Sequence, residues 1–485
     1  MPLSLRAVLT GALALSVPSL ASAGGFFVGD VGARGLGRAG AFIAAPDSVL
    51  ALHYNPAGLS LLSEGLHVEV DMSTVSLDYS FKRTCPCVAP TTANAASLDA
   101  TLAASPAFAG VANNSAGVQI IPYISAAYQL PWKHLTLAAA VYAMTSPGKL
   151  RYGERGQPAS DLQPQRYSLV DLDLYEAYYN LGVSIEPVEG LRIGFVGQIY
   201  DFKVTQAVHL WANTTFSSTP EDADLDIPIV LAFHAPLRPN YAFGVSWTPT
   251  FLKELSFGFS MLGKRDSRSE GTTSFTLSPT LAPLAQITGS KVGVELTLPA
   301  MLRGGIQFAI PQTFAAEVAV EVETWSGYKQ VTVRPQDIQV TLGGTTQPLA
   351  KVILPTNFQN TISLRAGGEL NIWEPYLTLR AGYSFETGAL AETFIDPSTA
   401  DLSKHGIHFG AGTTWAGVSL QAGVAYFVMP SLSTTTSGKR LIGPLEAPQG
   451  AGDYLTYVGN GTYSGSYFLF SASVAVALDP LMKAI

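Results

Sequence analysis

Residues 360–385 read NTISLRAGGELNIWEPYLTLRAGYSF, and their side chains alternate in character at every second position. Ile362 and Leu364 fall on one face of an extended chain, whereas Arg365 and Glu369 fall on the other. Successive side chains of a β-strand point to opposite faces, so this period of two predicts a strand with one apolar and one polar face.

The turn Trp373-Glu374-Pro375 leads into a second strand of the same kind, in which Leu379 and Arg380 take opposite faces. Segments 174–185 and 313–323 show the same alternation. Charges at every second position of apolar strands need water or partners on that side. A barrel whose lumen holds the polar side chains and whose exterior meets lipid supplies both, and we expect the arginines to pair there with glutamates of neighbouring strands.

The composition agrees with a membrane exterior. Among 485 residues, 47% are hydrophobic and 13% are charged, against about 25% charged in an ordinary soluble domain. Nothing in the sequence after the first residues resembles a transmembrane helix. An apolar, exported chain without such a helix enters a membrane as a closed barrel, because closure satisfies every backbone polar group.

The first residues predict export. Arg6 precedes an apolar run from Ala7 to Leu15 and then Ala21-Ser22-Ala23, which together resemble a cleaved secretory signal peptide over residues 1–23. The run is shorter than the roughly 20 residues that span a bilayer, so a membrane anchor is the weaker interpretation.

The fold class that follows is an all-β, transmembrane antiparallel barrel of about fourteen strands, an even number. We predict strands near 66–81, 118–130, 135–145, 173–186, 191–204, 239–248, 254–263, 294–309, 313–324, 360–371, 375–385, 405–414, 417–428 and 464–477. Tight turns near Pro131, Pro187, Pro249, Pro311, Glu374 and Ala416 alternate with long segments, as short periplasmic turns alternate with long outer loops. A soluble β-sandwich would not require this asymmetry.

Residues 24–65 precede the first strand and lack sustained alternation. We expect them to form a hatch, or plug, inside the lumen, since a barrel of this size has room for one. The predicted organisation is therefore a signal peptide (1–23), a hatch (24–65), a barrel (66–478) and a C-terminal extension (479–485).

Two motifs of the predicted hatch resemble a known family. The segment Gly35-Leu36-Gly37-Arg38-Ala39 and the later Asn55-Pro56-Ala57 are similar in order and spacing to the hatch of the FadL/TodX family of outer-membrane transporters for long-chain fatty acids and hydrocarbons. Downstream, 298–305 is similar to the family's L-P-A-x-x-R-x-G strand, and 364–367 and 379–383 to its paired L-R-x-G strands. The middle of the chain resembles the family weakly.

The resemblance implies a mechanism and sites. Outer loops capture a hydrophobic molecule, an internal pocket holds it, and a hatch containing Gly35, Gly37, Asn55, Pro56 and Ala57 gates its passage. Proline fixes the backbone of the hatch, and the asparagine amide offers donors and acceptors.

Phe26 corresponds to the family's near-terminal phenylalanine, which lines the pocket beside the hatch. We assign Phe26 and the adjoining Phe27 to substrate binding; plain packing against the wall is the alternative.

A carboxylate substrate would need a cation in the lumen. Arg192, Arg303, Arg365 and Arg380 are the candidates, and pairing with lumenal glutamates is the alternative for each, since buried charges are mostly paired.

Two departures from the family pattern concern strands. The predicted strand 135–145 contains neither Gly nor Pro, whereas the family's third strand is kinked to make a side opening, so lateral and periplasmic exit both stay open. Related barrels end on an aromatic residue, whereas this chain continues past Asp479-Pro480; Phe468 and Phe470 are the internal candidates for an assembly signal.

Other functions find little support. We predict no enzyme, cofactor or metal, because the sequence has neither G-x-S-x-G nor H-E-x-x-H. Gly35–Gly40 matches G-x-G-x-x-G but lacks the preceding strand of a nucleotide site. No basic cluster indicates nucleic acid. Cys85 and Cys87 fit a surface loop of either redox state.

We therefore expect a monomer of the bacterial outer membrane that passively takes up long-chain fatty acids or similar molecules, in contact with membrane lipid and lipopolysaccharide. An aromatic-hydrocarbon channel and a non-transport adhesin are the alternatives.

Overall fold

A computed structural model of the chain describes residues 29–88, 94–105, 108, 110–143, 148–157, 163–212, 221–355, 357–398, 401–439 and 456–478. The predicted signal peptide, Phe26, Phe27 and the C-terminal extension 479–485 lie outside these residues. No helix among the described residues is long and apolar enough to cross a membrane.

Fourteen strands of the described chain pair in sequence order to form the barrel wall. Strands are numbered along the chain. The wall strands are β1 (Gly65–Arg83), β3 (Val118–Gln129), β4 (Thr136–Tyr142), β6 (Asp171–Val188), β7 (Leu191–Trp211), β8 (Asp226–Trp247), β9 (Leu255–Leu262), β13 (Met301–Ile310), β14 (Phe314–Glu323), β19 (Thr361–Trp373), β20 (Leu377–Glu386), β21 (Lys404–Trp415), β22 (Val418–Thr434) and β23 (Gly461–Ala477). β1 pairs antiparallel with β23 from His67↔Ala477 to Arg83↔Gly461, and this pairing closes the barrel.

The remaining strands lie at the end of the barrel that carries the long connections. They are β2 (Ala112–Asn113), β5 (Lys149–Arg151), β10 (Arg265–Phe275), β11 (Ala285–Thr288), β12 (Lys291–Leu298), β15 (Gln330–Pro335), β16 (Gln339–Leu342), β17 (Thr345–Pro348) and β18 (Val352–Pro355). β10, β12, β15 and β18 extend the wall outward from β8, and β11, β16 and β17 form a separate small sheet.

Helices are short. α1 is Ala33–Gly37, α2 is Ala51–Tyr54 and α3 is Ala95–Ala103. Single 3₁₀ turns occupy Pro56–Leu61, Trp132–His134, Ala223–Leu225, Trp325–Gly327 and Glu392–Phe394.

The predicted fold class is confirmed, and the two faces of the wall divide as the alternation predicts. Val318 and Leu364 are 65% and 53% exposed on the outside, whereas Glu317, Arg365 and Arg380 are buried inside. Exposed tryptophans mark the short-turn end at Trp132, Trp247, Trp373 and Trp415. Aromatic residues are enriched at membrane–water interfaces. We call the short-turn end the periplasmic end, because bacterial barrels carry their short turns on that side.

The intervals 205–238 and 264–293, which lie between predicted strands, were predicted to be long connections. This prediction was wrong in part. β7 continues to Trp211, β8 begins at Asp226, and β10 and β12 fill most of the second segment. Above the apolar band of the wall, the apolar residues lie on the inner face and the polar residues on the outer face. Val204 and Val294 point inward, while Lys203 and Arg268 are exposed outside. A search for apolar residues on the outer face therefore misses these extensions.

Candidate functional site: the lumen and its hatch

The lumen is filled by residues 29–62, which we call the hatch segment. Its regular structure is limited to α1, α2 and the 3₁₀ turn at Pro56–Leu61, yet nearly all of it is buried. α1 contacts β20 to β23, and the 3₁₀ turn at Pro56–Leu61 contacts β4, β6, β7 and β8. The segment thus crosses the lumen from one side of the wall to the other. The exact division of the chain into a hatch over 24–65 and a barrel stays a prediction.

Glycines allow this segment to pack closely. A Cβ at Gly35 would collide with the Tyr54 ring, and a Cβ at Gly37 would stand 3.0 Å from the Gly410 Cα atom in β21. The wall is matched to the hatch, since a Cβ at Gly244 would collide with the Asn55 amide oxygen. The predicted packing role of Gly35 and Gly37 fits this geometry, and their gating role stays a prediction.

Both polar atoms of the Asn55 side chain are hydrogen-bonded, and one of the bonds joins the hatch to the wall. Its Nδ2 donates to the carbonyl oxygens of Ile43 (2.8 Å) and Val245 in β8 (3.0 Å). Its Oδ1 accepts from the Ala57 amide at 3.2 Å and so caps the turn that begins at Pro56. Asn55 is fully buried, so the loss of its side chain would leave carbonyl groups without donors.

Side chains of the wall supply donors to other hatch carbonyls. Ser260 donates to Tyr54 O and Ser246 to Ala44 O, both at 2.6 Å. Further bonds to the hatch backbone come from Ser184, Thr136, Tyr123 and Arg303. Buried carbonyls cost free energy unless they are bonded, so these donors from the barrel stabilise the hatch in its place.

Two predicted arginines join hatch and wall. Arg365 pairs with Asp30 of the hatch and lies 3.9 Å from Glu321. Arg303 lies 2.5 Å from Glu321 and donates to the His53 carbonyl at 2.8 Å.

The other two arginines are also paired. Arg380 donates to Glu369 at 2.9 Å, and Glu369 also accepts from Arg34 of the hatch at 2.7 Å. Arg192 lies apart from this group, 3.1 Å from Glu186 near the periplasmic turn. The structure therefore brings three of the four together with the hatch, and contact of any of them with a ligand stays a prediction.

A polar cavity of about 370 Å³ opens at the periplasmic end of the lumen. Its lining includes Arg34, Arg38 and Arg380 together with Glu369, and turn residues such as Gln312. This end offers charged surface beneath the hatch.

One part of the outer interior is apolar. Phe202 and Val204 of β7 face Phe233 of β8, with Val294 and Val333 completing the same surface, and all five are buried. The Phe202 and Phe233 ring centroids are 6.0 Å apart.

Between this surface and the hatch runs a row of tyrosines on four neighbouring wall strands. Tyr123, Tyr142, Tyr178 and Tyr200 are all buried, and their successive ring centroids are 5.1, 5.6 and 6.3 Å apart. The row leads from the outer interior to the hatch residue His53, whose ring is 5.6 Å from Tyr142.

Buried ion pairs hold the outer connections over the mouth. Arg83, at the end of β1, donates to both carboxylate oxygens of Glu221 at 2.7 and 2.6 Å. Arg166 and Tyr167 both donate to Asp226. Burial raises the pKa of the Tyr167 hydroxyl well above its usual range, so this hydroxyl keeps its proton and remains a donor.

Several of these residues were missed by the sequence reasoning. Asp30, Arg34 and Arg38 lie in a segment without a periodic signal, and their partners are more than 260 residues away. The tyrosine row did carry a signal, since Tyr123, Tyr142 and Tyr178 each fall on the polar face of an alternating strand.

Cys85 and Cys87 are joined in a disulfide bond in the outer connection after β1.

Residues 234–458 match the sequence pattern of a family described as outer membrane protein transport protein (OMPP1/FadL/TodX). The match confirms the predicted FadL/TodX resemblance. Comparison with curated protein sequences finds no match. The family consists of transport proteins, so the prediction that this FadL/TodX-like chain is not an enzyme is confirmed as well.

Solved structures show the same fold. A FadL homologue of Pseudomonas aeruginosa has a TM-score of 0.71 at 14% identity, covering 93% of this chain and 99% of its own. The P. putida toluene transporter TodX has a TM-score of 0.62 at 15% identity, covering 92% and 98%. The Ralstonia pickettii toluene transporter TbuX has a TM-score of 0.59 at 14% identity with the same coverage as TodX. This FadL/TodX-like chain shares their whole architecture.

Replacing Asn55 with Ala should loosen the hatch while the barrel still assembles. The change removes the donor to Ile43 O and Val245 O, and a buried acceptor left without its donor costs about 1–3 kcal/mol. In planar bilayers we expect the variant to show ion-conducting openings at least several-fold more often than the unchanged protein.

Asn114→Ala is the matched control. Asn114 also donates to one carbonyl and accepts from a backbone amide two residues later, but in an outer connection. Equal conductance of the Asn55 and Asn114 variants would contradict the prediction that Asn55 holds the hatch in place.

Proposed function

We propose that the chain passively transports long-chain fatty acids or similar hydrophobic molecules across the bacterial outer membrane. The observation that carries the proposal is the contrast along the lumen: a buried apolar surface in the outer interior, around Phe202 and Phe233, lies above a polar, hydrogen-bonded hatch. Transport is the description of the matched family, and a lipid-facing exterior supports its location.

Entry would follow the apolar surface. A hydrocarbon chain released into the outer interior around Phe202, Phe233 and Val294 leaves water, which stabilises it by roughly 25 cal/mol per Å² of buried apolar surface. No energy source is required for this step, so the direction of net flow follows the concentration gradient of the molecule.

Exit toward the periplasm along the barrel axis is unfavourable for such a chain. It would displace a hatch that is held by buried ion pairs, among them Arg365–Asp30 and Arg34–Glu369, and then enter the charged cavity beneath. Breaking a buried pair by removing one partner costs about 3–5 kcal/mol. This cost favours exit through the wall.

The third wall strand supplies a place for such an exit. β4 pairs with both neighbours as far as Tyr142, opposite Tyr178 of β6. Pairing with β6 resumes at Lys149↔Asp173 in β5. Six residues of the sequence, 143–148, separate these two pairings on one side and four, 174–177, on the other, so the register differs by two residues between them.

On the side of β3, the Gln119 side chain donates to the Lys149 carbonyl at 3.1 Å. The interval adjoins Tyr142 of the tyrosine row. We propose that hydrophobic molecules leave here into the lipid, although the sequence of the predicted strand 135–145 gave no such signal.

Uptake of monoaromatic hydrocarbons is the second candidate. Each of the four predicted arginines is paired with a carboxylate, which leaves a substrate carboxylate without an uncommitted partner among them. A neutral hydrocarbon needs none, and TodX and TbuX are toluene transporters.

The two candidates are separated by measuring uptake of radiolabelled oleate and labelled toluene in cells that lack their own transporter and express this chain. We expect oleate uptake to rise at least several-fold over cells with an empty vector. A rise for toluene alone would assign the second candidate, and no rise for either would contradict transport.

Deleting Ser146 and Pro147 tests the exit route. The deletion removes the two extra positions in the third wall strand, so the ladder can close and substrate uptake should fall to nearly the vector level. Deleting Gly343 and Gly344, at the turn between β16 and β17, is the control and should leave uptake unchanged. Full uptake by the shortened strand would exclude the lateral route.

A further inference from the structure

The exterior of the barrel changes from apolar to charged at the level where β9 and β13 end and β10, β12 and β15 continue the sheet beside β8. We call the part above this level the outer sheet. Below it, Tyr241, Phe259 and Ile306 are exposed at 47%, 46% and 53%. Above it, the facing residues are charged or polar: Arg268 of β10 lies opposite Glu295 of β12, which lies opposite Thr332 of β15. The outer sheet therefore begins where the membrane hydrocarbon ends.

Three arginines converge on this surface. Arg334 donates to Glu295 at 3.1 Å, and the Arg268 Nε atom lies 3.9 Å from the same carboxylate. Arg238 donates from Nη2 to the backbone carbonyl of Arg268 at 2.5 Å, which fixes a third guanidinium beside the pair.

The local charge balance is positive. The three arginines face two carboxylates, Glu295 and Glu270, since Lys264 and Asp266 form their own pair at 3.0 Å. The side chains of Arg268 and Arg334 are 86% and 49% exposed. Exposed ion pairs contribute about 0–1 kcal/mol, so these guanidiniums can exchange a carboxylate for a stronger anion at little cost.

The backbone beneath forms a recess. The described ladder between β8 and the β9–β10 segment is interrupted between Ala242↔Leu262 and His234↔Glu270, and the Arg238 side chain bridges the interruption. Two surface hollows of about 460 and 800 Å³ adjoin it, both lined by Arg238, Arg268 and Glu295.

We propose that the outer sheet binds the phosphate groups of lipid A, the membrane anchor of lipopolysaccharide. Guanidinium groups bind phosphate oxygens in bidentate fashion. A phosphate group carries more negative charge than a carboxylate, so its pair with a guanidinium on a wet surface is the stronger one. A lipid bound there by its phosphates would lay its acyl chains along the apolar wall directly below, around Tyr241 and Phe259. A free phosphate ion would gain nothing from that wall.

Native mass spectrometry of the purified full-length protein in detergent tests the site, with bisphosphorylated lipid A and enzymatically dephosphorylated lipid A of the same acyl pattern as probes. We expect the phosphorylated form to bind at least tenfold more tightly. The double variant R268Q/R334Q should lose most of this preference. Equal binding of the two lipids, or an unchanged preference in the double variant, would overturn the proposal.

Lys149→Gln is the matched control. Lys149 is a half-exposed cation at the outer end of β5, beside Asp173, and its loss should leave the preference for phosphorylated lipid A unchanged.

Inorganic phosphate alone should not compete with lipid A at millimolar concentration; effective competition would assign the site to a free anion instead of a lipid. Heat-modified migration in gels reports folding of each variant. If the double variant does not fold, Arg238→Gln and the comparison of the two lipids on the unchanged protein decide the matter.

Discussion

The ladder between β1 and β23 is the constraint on which the rest of the structure depends. With this pairing the sheet has no edge, and every wall strand can leave one face in lipid because its backbone groups are satisfied by neighbours. Closure also creates a second, enclosed face. The charged side chains that lipid excludes lie on that face, so the wall and its polar lumen are consequences of the same pairing.

The enclosed face explains the hatch. Charges such as Glu317, Glu321 and Arg365 are costly inside a barrel unless they have partners, and the hatch brings partners with Asp30, Arg38 and its own backbone amides. The dependence is mutual, because several hatch carbonyls take their donors from the wall. In the gating that we propose, a few of these bonds exchange, beginning at Asn55 and the wall hydroxyls.

The sequence predicted the part of the fold in which the apolar face of each strand meets lipid and its polar face meets the lumen. Leu379 and Arg380 take the faces that their chemistry predicts, and strand number and short turns follow from the same rule. The rule fails where the environment changes along one strand. Once β7 rises above the lipid, its outward positions become polar, as at Lys203, and its apolar side chains point inward. It also cannot pair Asp30 with Arg365, since nothing local links residues 335 positions apart. The hatch motifs were found only through a resemblance, and the change of register between Tyr142 and Lys149 became visible only when the pairing with β6 was known.

Spin labels placed one at a time at residues 377–386 of β20 test the central claim most directly, with the protein in lipid vesicles. Their accessibility to oxygen, which concentrates in hydrocarbon, and to a water-soluble nickel chelate is measured by electron paramagnetic resonance. The account predicts oxygen accessibility with a period of two residues, high at Leu379, Ala381 and Tyr383 and low at Arg380, Gly382 and Ser384. Equal oxygen accessibility on both sets of positions would contradict a strand with one face in lipid and the other against the hatch.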